Sequence, residues 1–97
     1  MRFEWDEKKN QINIRKHGVD FTDAAEMFTA PMLVEPDRRK NYGETRSMGL
    51  GYIQGRTMVI VYTKRTGDVI RIISLRKANK REQTNLKKAI QDELGAR

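Results

Sequence analysis

The chain has no cysteine. That excludes disulfides, thiolate metal sites and a cysteine nucleophile. It also makes a reducing compartment the easier setting, because small secreted domains commonly rely on disulfide staples. Long apolar runs are missing too. The longest nearly unbroken one, Met58–Tyr62, is far too short to cross a bilayer. Met1–Asp6 leads into charged helix and not into an apolar run, so no signal peptide is expected. His17 is the one histidine and the acids are scattered, which leaves no metal-ligand spacing. Glycine-rich nucleotide loops and a Ser-His-Asp order are also lacking. The expectation is a cytoplasmic protein with no membrane contact, no metal and no cofactor.

What is present is positive charge. Twenty Lys and Arg against 13 Asp and Glu give a formal charge of +7, with a pI near 10.0. The stretch Arg71–Arg81 carries Arg71, Arg76, Lys77, Lys80 and Arg81 with no acid among them. A clustered basic stripe suits a phosphate backbone or an acidic protein, although solubility alone is a competing reading. The 97 residues suffice for one domain, 1–97, around one core. The 37% apolar residues recur in patterned blocks, which argues for a folded chain.

Along the chain, Arg2–Trp5 alternates and reads as a short strand. Asp6 suits a helix N-cap, and the helix ends near Lys16 or His17 before Gly18, a left-handed C-terminal residue. Asp20 starts a second helix, with Phe21, Ala24, Ala25 and Phe28 at helical spacing and Pro31 as its stop. The two make a helical hairpin. Met32–Glu35 is a short strand, and Pro36–Glu44 a mobile basic loop. The segments Thr45–Gln54, Thr57–Lys64 and Val69–Arg76 form a meander through two tight turns. A helix with Leu86, Ile90 and Leu94 on one stripe closes the chain. The fold class is α+β, with the hairpin packed on an antiparallel sheet and a C-terminal helix.

A two-residue turn at Thr66-Gly67 would set the register. Met48, Leu50, Tyr52, Val59, Val61, Ile70, Ile72 and Ser74 then share the face beneath the hairpin. Ser47, Gly49, Gly51, Met58, Ile60, Tyr62, Lys64, Arg71, Ile73 and Leu75 share the other, whose apolar end receives the C-terminal helix. Tyr62 and Arg71 would stand directly opposite each other beside Gly49. An arginine, a tyrosine and Lys64 over a floor of glycines would suit a phosphodiester, by guanidinium fork and base stacking. A plain cross-strand Tyr–Arg pair explains the same juxtaposition. His17 is the natural acid–base candidate, against a simple role at a helix C-terminus. Lys8, Lys9, Arg15 and Lys16 read as one solvated helix face.

Several ordered blocks carry a family resemblance. FEWDEKKNQINIRKHGVDFTDAAEMF, GETRSMGLGY and VIVYTKRTGDVIRIISLRKANKRE contain W-D-x-x-K, N-x-x-K-H-G-V-x-F, E-x-R, Y-T and R-I-I-S-x-R-x-A. The chain thereby resembles the BrnT family, the toxins of BrnT–BrnA type II toxin–antitoxin systems, over roughly Phe3 to Glu82. The resemblance implies a RelE-like fold and ribonuclease activity that inhibits translation. It also implies a BrnA-like ribbon-helix-helix antitoxin as partner, RNA as substrate with or without a ribosome, and operator DNA reached only through the antitoxin. The motif residues His17, Glu44, Arg46, Tyr62, Arg71, Ser74 and Arg76 are carried over with it. Glu7 stands where the family often has proline, and the Pro36–Gly43 loop is unusually basic.

On this reading His17, Arg46, Tyr62 and Arg71 are the expected catalytic groups. Lys64, Ser74, Arg76 and Lys77 are the expected RNA contacts. The chemistry would be metal-independent attack of the RNA 2′-hydroxyl on its own phosphate. A non-catalytic RNA- or antitoxin-binding module, acting only in operon repression, is the alternative.

Overall fold

The computed structural model describes residues 1–95, with side chains through Glu93. The elements run β1 (Arg2–Glu4), α1 (Glu7–His17), a 3-10 segment (Phe21–Thr29), β2 (Leu33–Pro36), β3 (Ser47–Ile53), β4 (Arg56–Arg65), β5 (Val69–Lys77) and α2 (Lys80–Gly95). The strands form one sheet in the order β1-β5-β4-β3-β2. All pairings are antiparallel except β1 with β5. The expected antiparallel sheet is therefore mixed. The long connection between β1 and β5 frees that pair from the hairpin geometry that makes neighbours antiparallel.

The helix ends follow from capping. The Asp6 side chain accepts from the Lys8 and Lys9 amides at 2.9 and 3.4 Å. At the other end Gly18 has φ of 70° and donates to Ile14 O at 2.7 Å. In α2 the Asn79 side chain accepts from Glu82 N at 2.8 Å while Glu82 accepts from Asn79 N at 2.9 Å, a reciprocal capping box.

The segment after Asp20 is 3-10 and not the α-helix expected there. Its buried stripe is Phe21, Ala24 and Met27, each 1% exposed or less, whereas Ala25 is exposed and Phe28 only half-buried. A spacing of three matches the 3-10 repeat, in which residues i and i+3 eclipse. The stripe covers Ile53, Met58, Ile60, Tyr62, Ile70, Ile72 and Leu75. Full burial of each large side chain there contributes about 1.5–3 kcal/mol.

The two faces are covered in the reverse of the expected sense. The 3-10 segment lies on the Met58–Ile60–Tyr62 face, and α2 lies on Leu50 and Val59, with Met48, Tyr52 and Ile90 packed alongside. Both faces are apolar, so alternation alone does not distinguish them. The glycines of β3 do. A Cβ at Gly51 would stand 2.8 Å from Met32 Cγ, and one at Gly49 would stand 3.2 Å from Ile60 Cγ2. Gly49 and Gly51 therefore make room for Met32 and Met27 and not for a ligand. Leu94, third on the expected α2 stripe, has its side chain outside the described part.

The β5 register corrects the expected one twice. The turn Thr66-Gly67-Asp68 has three residues, with Arg65 opposite Val69, so Tyr62 faces Ile72 and Arg71 faces Thr63. A register shift then follows, after which Val61 pairs Ser74 and Val59 pairs Arg76, leaving Ile73 as the extra residue. Without it Arg71 and Arg76, five residues apart, would point to opposite faces. With it Arg71, Ser74 and Arg76 share the α2 side of the sheet. Ile70 and Ile72 move to the 3-10 side.

Contrary to the expected hairpin packing, α1 lies along β5. Its buried residues are Asn10 and Asn13. Asn13 accepts from Leu75 N at 3.2 Å and donates to Leu75 O at 2.8 Å and to Val19 O at 3.0 Å. Asn10 accepts from Phe21 N at 2.9 Å and donates to Asp20 at 3.0 Å. Asn13→Leu leaves Leu75 N–H, Leu75 C=O and Val19 C=O without those partners, at about 1–3 kcal/mol per unsatisfied group. Urea unfolding should therefore show a loss of at least about 2 kcal/mol, while Ile12→Ala, at a position 53% exposed, should leave the midpoint nearly unchanged.

Candidate active site

Beside the bulge, α1 and β5 enclose an open hollow of about 250 Å³ lined by Lys9, Ile12, Asn13, Lys16, His17, Ile73 and Ser74. Lys9, Asn13 and Lys16 recur at intervals of four and three, so one helix stripe supplies all three. Asn13 anchors that stripe to Leu75. Gly18 ends the helix directly after His17. Burial holds the His17 pKa below 6.5, and the nearby charges of Lys16 and Arg76 depress it further. At neutral pH the imidazole is therefore neutral, with one nitrogen able to accept a proton.

The arginines near this face are paired. Arg71 donates to Glu4, its neighbour on β1, at 2.7 Å. Arg76 grips Glu82 through two bonds of 2.9 Å, so β5 is tied to the capping box of α2. Arg46 donates to Glu44 at 3.1 Å. By contrast Lys9 and Lys16 have no ion pair among the described residues. The hollow thus combines uncommitted ammonium groups with a neutral imidazole and the Ser74 hydroxyl.

The expected site residues separate into groups. His17 and Ser74 meet in the hollow, and Arg76 is close enough to act on His17. Arg71 lies further along β5 on the same side. Arg46 belongs to a second hollow formed by the Pro36–Arg46 connection, and Lys64 to a third that contains Thr63. Lys77, opposite Met58, is exposed at the end of β5 on the other face from Arg76.

Tyr62 lines none of these three hollows. It is 3% exposed beneath the 3-10 segment, with its ring edge-on to Phe28 at 5.2 Å. Burial raises its pKa, partly offset by the Ser47 hydroxyl. The expected Tyr62–Arg71 juxtaposition is absent because of the three-residue turn. Lys9 and Lys16, read from the sequence as solvated, line the hollow instead. The signal was available: Lys9 is the final residue of W-D-x-x-K, on the same stripe as Asn13 and Lys16.

The connection expected to be a mobile loop is bonded from within. The Asp37 side chain is fully buried and accepts from Arg39 Nε and Nη2 at 2.8 and 2.9 Å. Asp37 N donates to Arg46 O at 2.8 Å. Arg46 stacks over Tyr42, its guanidinium carbon 3.9 Å from the ring centroid. Among the described residues no group of three or more His, Cys, Asp or Glu side chains is arranged to hold a metal ion. Nor is any described helix long and apolar enough to cross a membrane.

A family model described as the ribonuclease toxin BrnT of type II toxin–antitoxin systems matches residues 5–82. Among solved structures, the ribonuclease toxin BrnT of Brucella abortus superposes with a TM-score of 0.68 and 32% sequence identity, covering 82% of this chain and 99% of that one. No curated protein sequence matches the chain.

The Arg76–Glu82 contact makes a stability prediction. Hydrogen bonding from Arg76 holds the Glu82 carboxyl below its ordinary value of 4.5. Its stabilisation is therefore full above 4.5 and lost as pH falls through the lower folded value. Glu82→Gln should cost about 1 kcal/mol at pH 7. That difference should shrink towards zero in urea titrations carried to pH 3.

Proposed function

Since the chain belongs to the BrnT family of ribonuclease toxins of type II toxin–antitoxin systems, we propose that it cleaves RNA without a metal ion, at the hollow beside the β5 bulge. One observation carries this assignment: His17 lines one hollow with Lys9, Lys16 and Ser74, and Arg76 is near enough to act on it. RNA supplies its own nucleophile, so the protein has three tasks. It must take the 2′-hydroxyl proton, stabilise charge on the phosphate oxygens and return a proton to the leaving 5′-oxygen.

His17 takes the proton, since it is unprotonated at neutral pH and opens on the hollow. Lys9 and Lys16 hold the phosphate, and Arg76 and Arg71 stabilise the charge that develops on it. Ser74 orients a phosphate oxygen. The imidazolium formed in the first half of the reaction is the proton source for the leaving oxygen. The products are a 2′,3′-cyclic phosphate and a 5′-hydroxyl. Arg46, Lys64 and Lys77 contribute to binding of the flanking strand, and Tyr62 supports the sheet.

The family setting supplies the rest of the proposal. Residues 1–97 act as one RelE-like domain in the cytoplasm, where translation is the target. A BrnA-like ribbon-helix-helix antitoxin neutralises the toxin, and operator DNA is contacted only through that partner.

The test is incubation of the isolated protein with purified RNA in EDTA. Wild type should yield cyclic phosphate ends, and Arg71→Ala should lower kcat/KM about 100-fold while unfolding at the wild-type midpoint. Loss of folding in Arg71→Ala would make Arg71 structural. Binding without cleavage, with or without ribosomes, would leave a non-catalytic module.

A second expectation concerns pH. The acid limb of kcat/KM, which reports the free enzyme, should lie below 6.5 because the His17 proton is lost early. His17→Asn should remove that limb together with most of the rate.

A further inference from the structure

The second hollow, about 480 Å³, is formed by the Pro36–Arg46 connection, and its lining includes Arg38, Lys40, Tyr42, Glu44, Thr45 and Arg46. Its size is that of a small-ligand site, about 300–1,000 Å³. Its chemistry is an aromatic ring among cations. Tyr42 is half-buried, with Arg46 stacked on it at 3.9 Å and Lys40 Nζ 5.2 Å from the centroid. Arg38 and Lys40 are exposed and have no ion pair among the described residues. Arg39, by contrast, is committed to Asp37.

The ring is held in position. Asp37 joins the connection to β3 through Arg46 O, the Asn41 side chain accepts from Gly43 N at 2.9 Å, and Glu44 fixes Arg46 from the other side. The hollow is also continuous with the sheet. Its Glu44 and Thr45 wall is shared with the hollow that contains Thr63 and Lys64, and Thr63 stands opposite Arg71. An extended strand of RNA leaving Arg71 therefore meets Thr63, then Glu44 and Thr45, then Tyr42.

We propose that this hollow is a subsite for one nucleotide of the strand that runs on from the cleaved bond, with Tyr42 as the platform for its base and Arg38 and Lys40 as the contacts to its phosphate. Every base has a π face, so a tyrosine platform accepts any of them, and guanidinium planes stack in the same way. Arg46 backs the ring and completes the stack. Lys40, on a flexible stem, swings from the ring to the phosphate when a base arrives. The subsite binds single-stranded RNA, because a base stacked inside a duplex has no free face to offer. It rests on the ribonuclease reading, and it acts on binding and not on the chemical step.

The test uses an uncleavable probe, a fluorescent 2′-O-methyl oligoribonucleotide of eight residues, followed by anisotropy. Tyr42→Ala should weaken binding about tenfold, and Tyr42→Phe should stay within about twofold of wild type. Abasic substitution at each probe position in turn should reveal one position whose loss weakens wild type about tenfold but leaves Tyr42→Ala unchanged. That pairing couples the missing base to the Tyr42 ring. Binding of Tyr42→Ala equal to wild type, or an abasic penalty of the same size in both proteins, would overturn the subsite. Cleavage of the unmodified RNA is measured in parallel. Intact, Tyr42-dependent binding without cleavage would fail the ribonuclease reading and keep the subsite, and cleavage with Tyr42-independent binding would do the reverse.

Discussion

The pairing of one carboxamide with one backbone residue organises the molecule. Asn13 meets both the N–H and the C=O of Leu75, so the side chain does for β5 what a neighbouring strand would do. β1 is only three residues long and ends opposite Arg71. Beyond that point the edge of β5 would expose its backbone groups beneath α1, at a cost comparable to a lost hydrogen bond for each. Asn13 removes the cost and sets the distance between helix and strand. Lys9 and Lys16 sit one turn before and after it, and their position over the bulge follows from that anchor. A leucine at residue 13 would satisfy an amphipathic pattern and lose the site.

The bulge at Ile73 and the turn at Gly67 act together on the same strand. Gly67 and Asp68 both have positive φ, at 84° and 60°, which is how the chain accommodates a third turn residue. That residue moves Arg71 off the core face. The bulge then keeps Arg76 on the same side as Arg71, although their spacing is odd. Either irregularity alone would send at least one guanidinium into the apolar layer under the 3-10 segment, where an unpaired charge costs several kcal/mol.

Much of this was legible in the sequence. Asp6, Gly18 and Asp20 mark the ends of local structure by their own side-chain and backbone chemistry, so those boundaries need no tertiary information. A tight turn around Gly55 is equally local, although its placement at Gln54-Gly55 and not Gly55-Arg56 is seen only in the positive φ of both residues. Face assignment was not legible, because two apolar faces alternate identically and only the contact of Gly51 with Met32 decides between them. The partner of Arg71 was not legible either. A single residue in the turn inverts every pairing beyond it, and Thr66-Gly67-Asp68 reads equally well as two residues or three. In α1 the missed feature was polar burial. Asn10 and Asn13 look like surface residues until their hydrogen-bond partners on Phe21 and Leu75 are known.

The distribution of charge limits the self-repulsion that an excess of seven positive groups places on so small a fold. Arg71 and Arg76 of β5, and Arg46 just before β3, are neutralised locally by Glu4, Glu82 and Glu44. Much of the excess is left on lysines at the surface, where water and salt screen it. An RNA phosphate meeting this surface encounters two kinds of cation. Lysines are free and mobile, and attract at long range in a salt-dependent way. Arg46, Arg71 and Arg76 are already oriented by carboxylates, and a phosphate entering among them must displace or share a carboxylate to be held. That exchange is nearly balanced for a single ground-state phosphate. It shifts in favour of the phosphate when additional negative charge develops on its oxygens, which is the condition for stabilising a transition state more than the bound substrate.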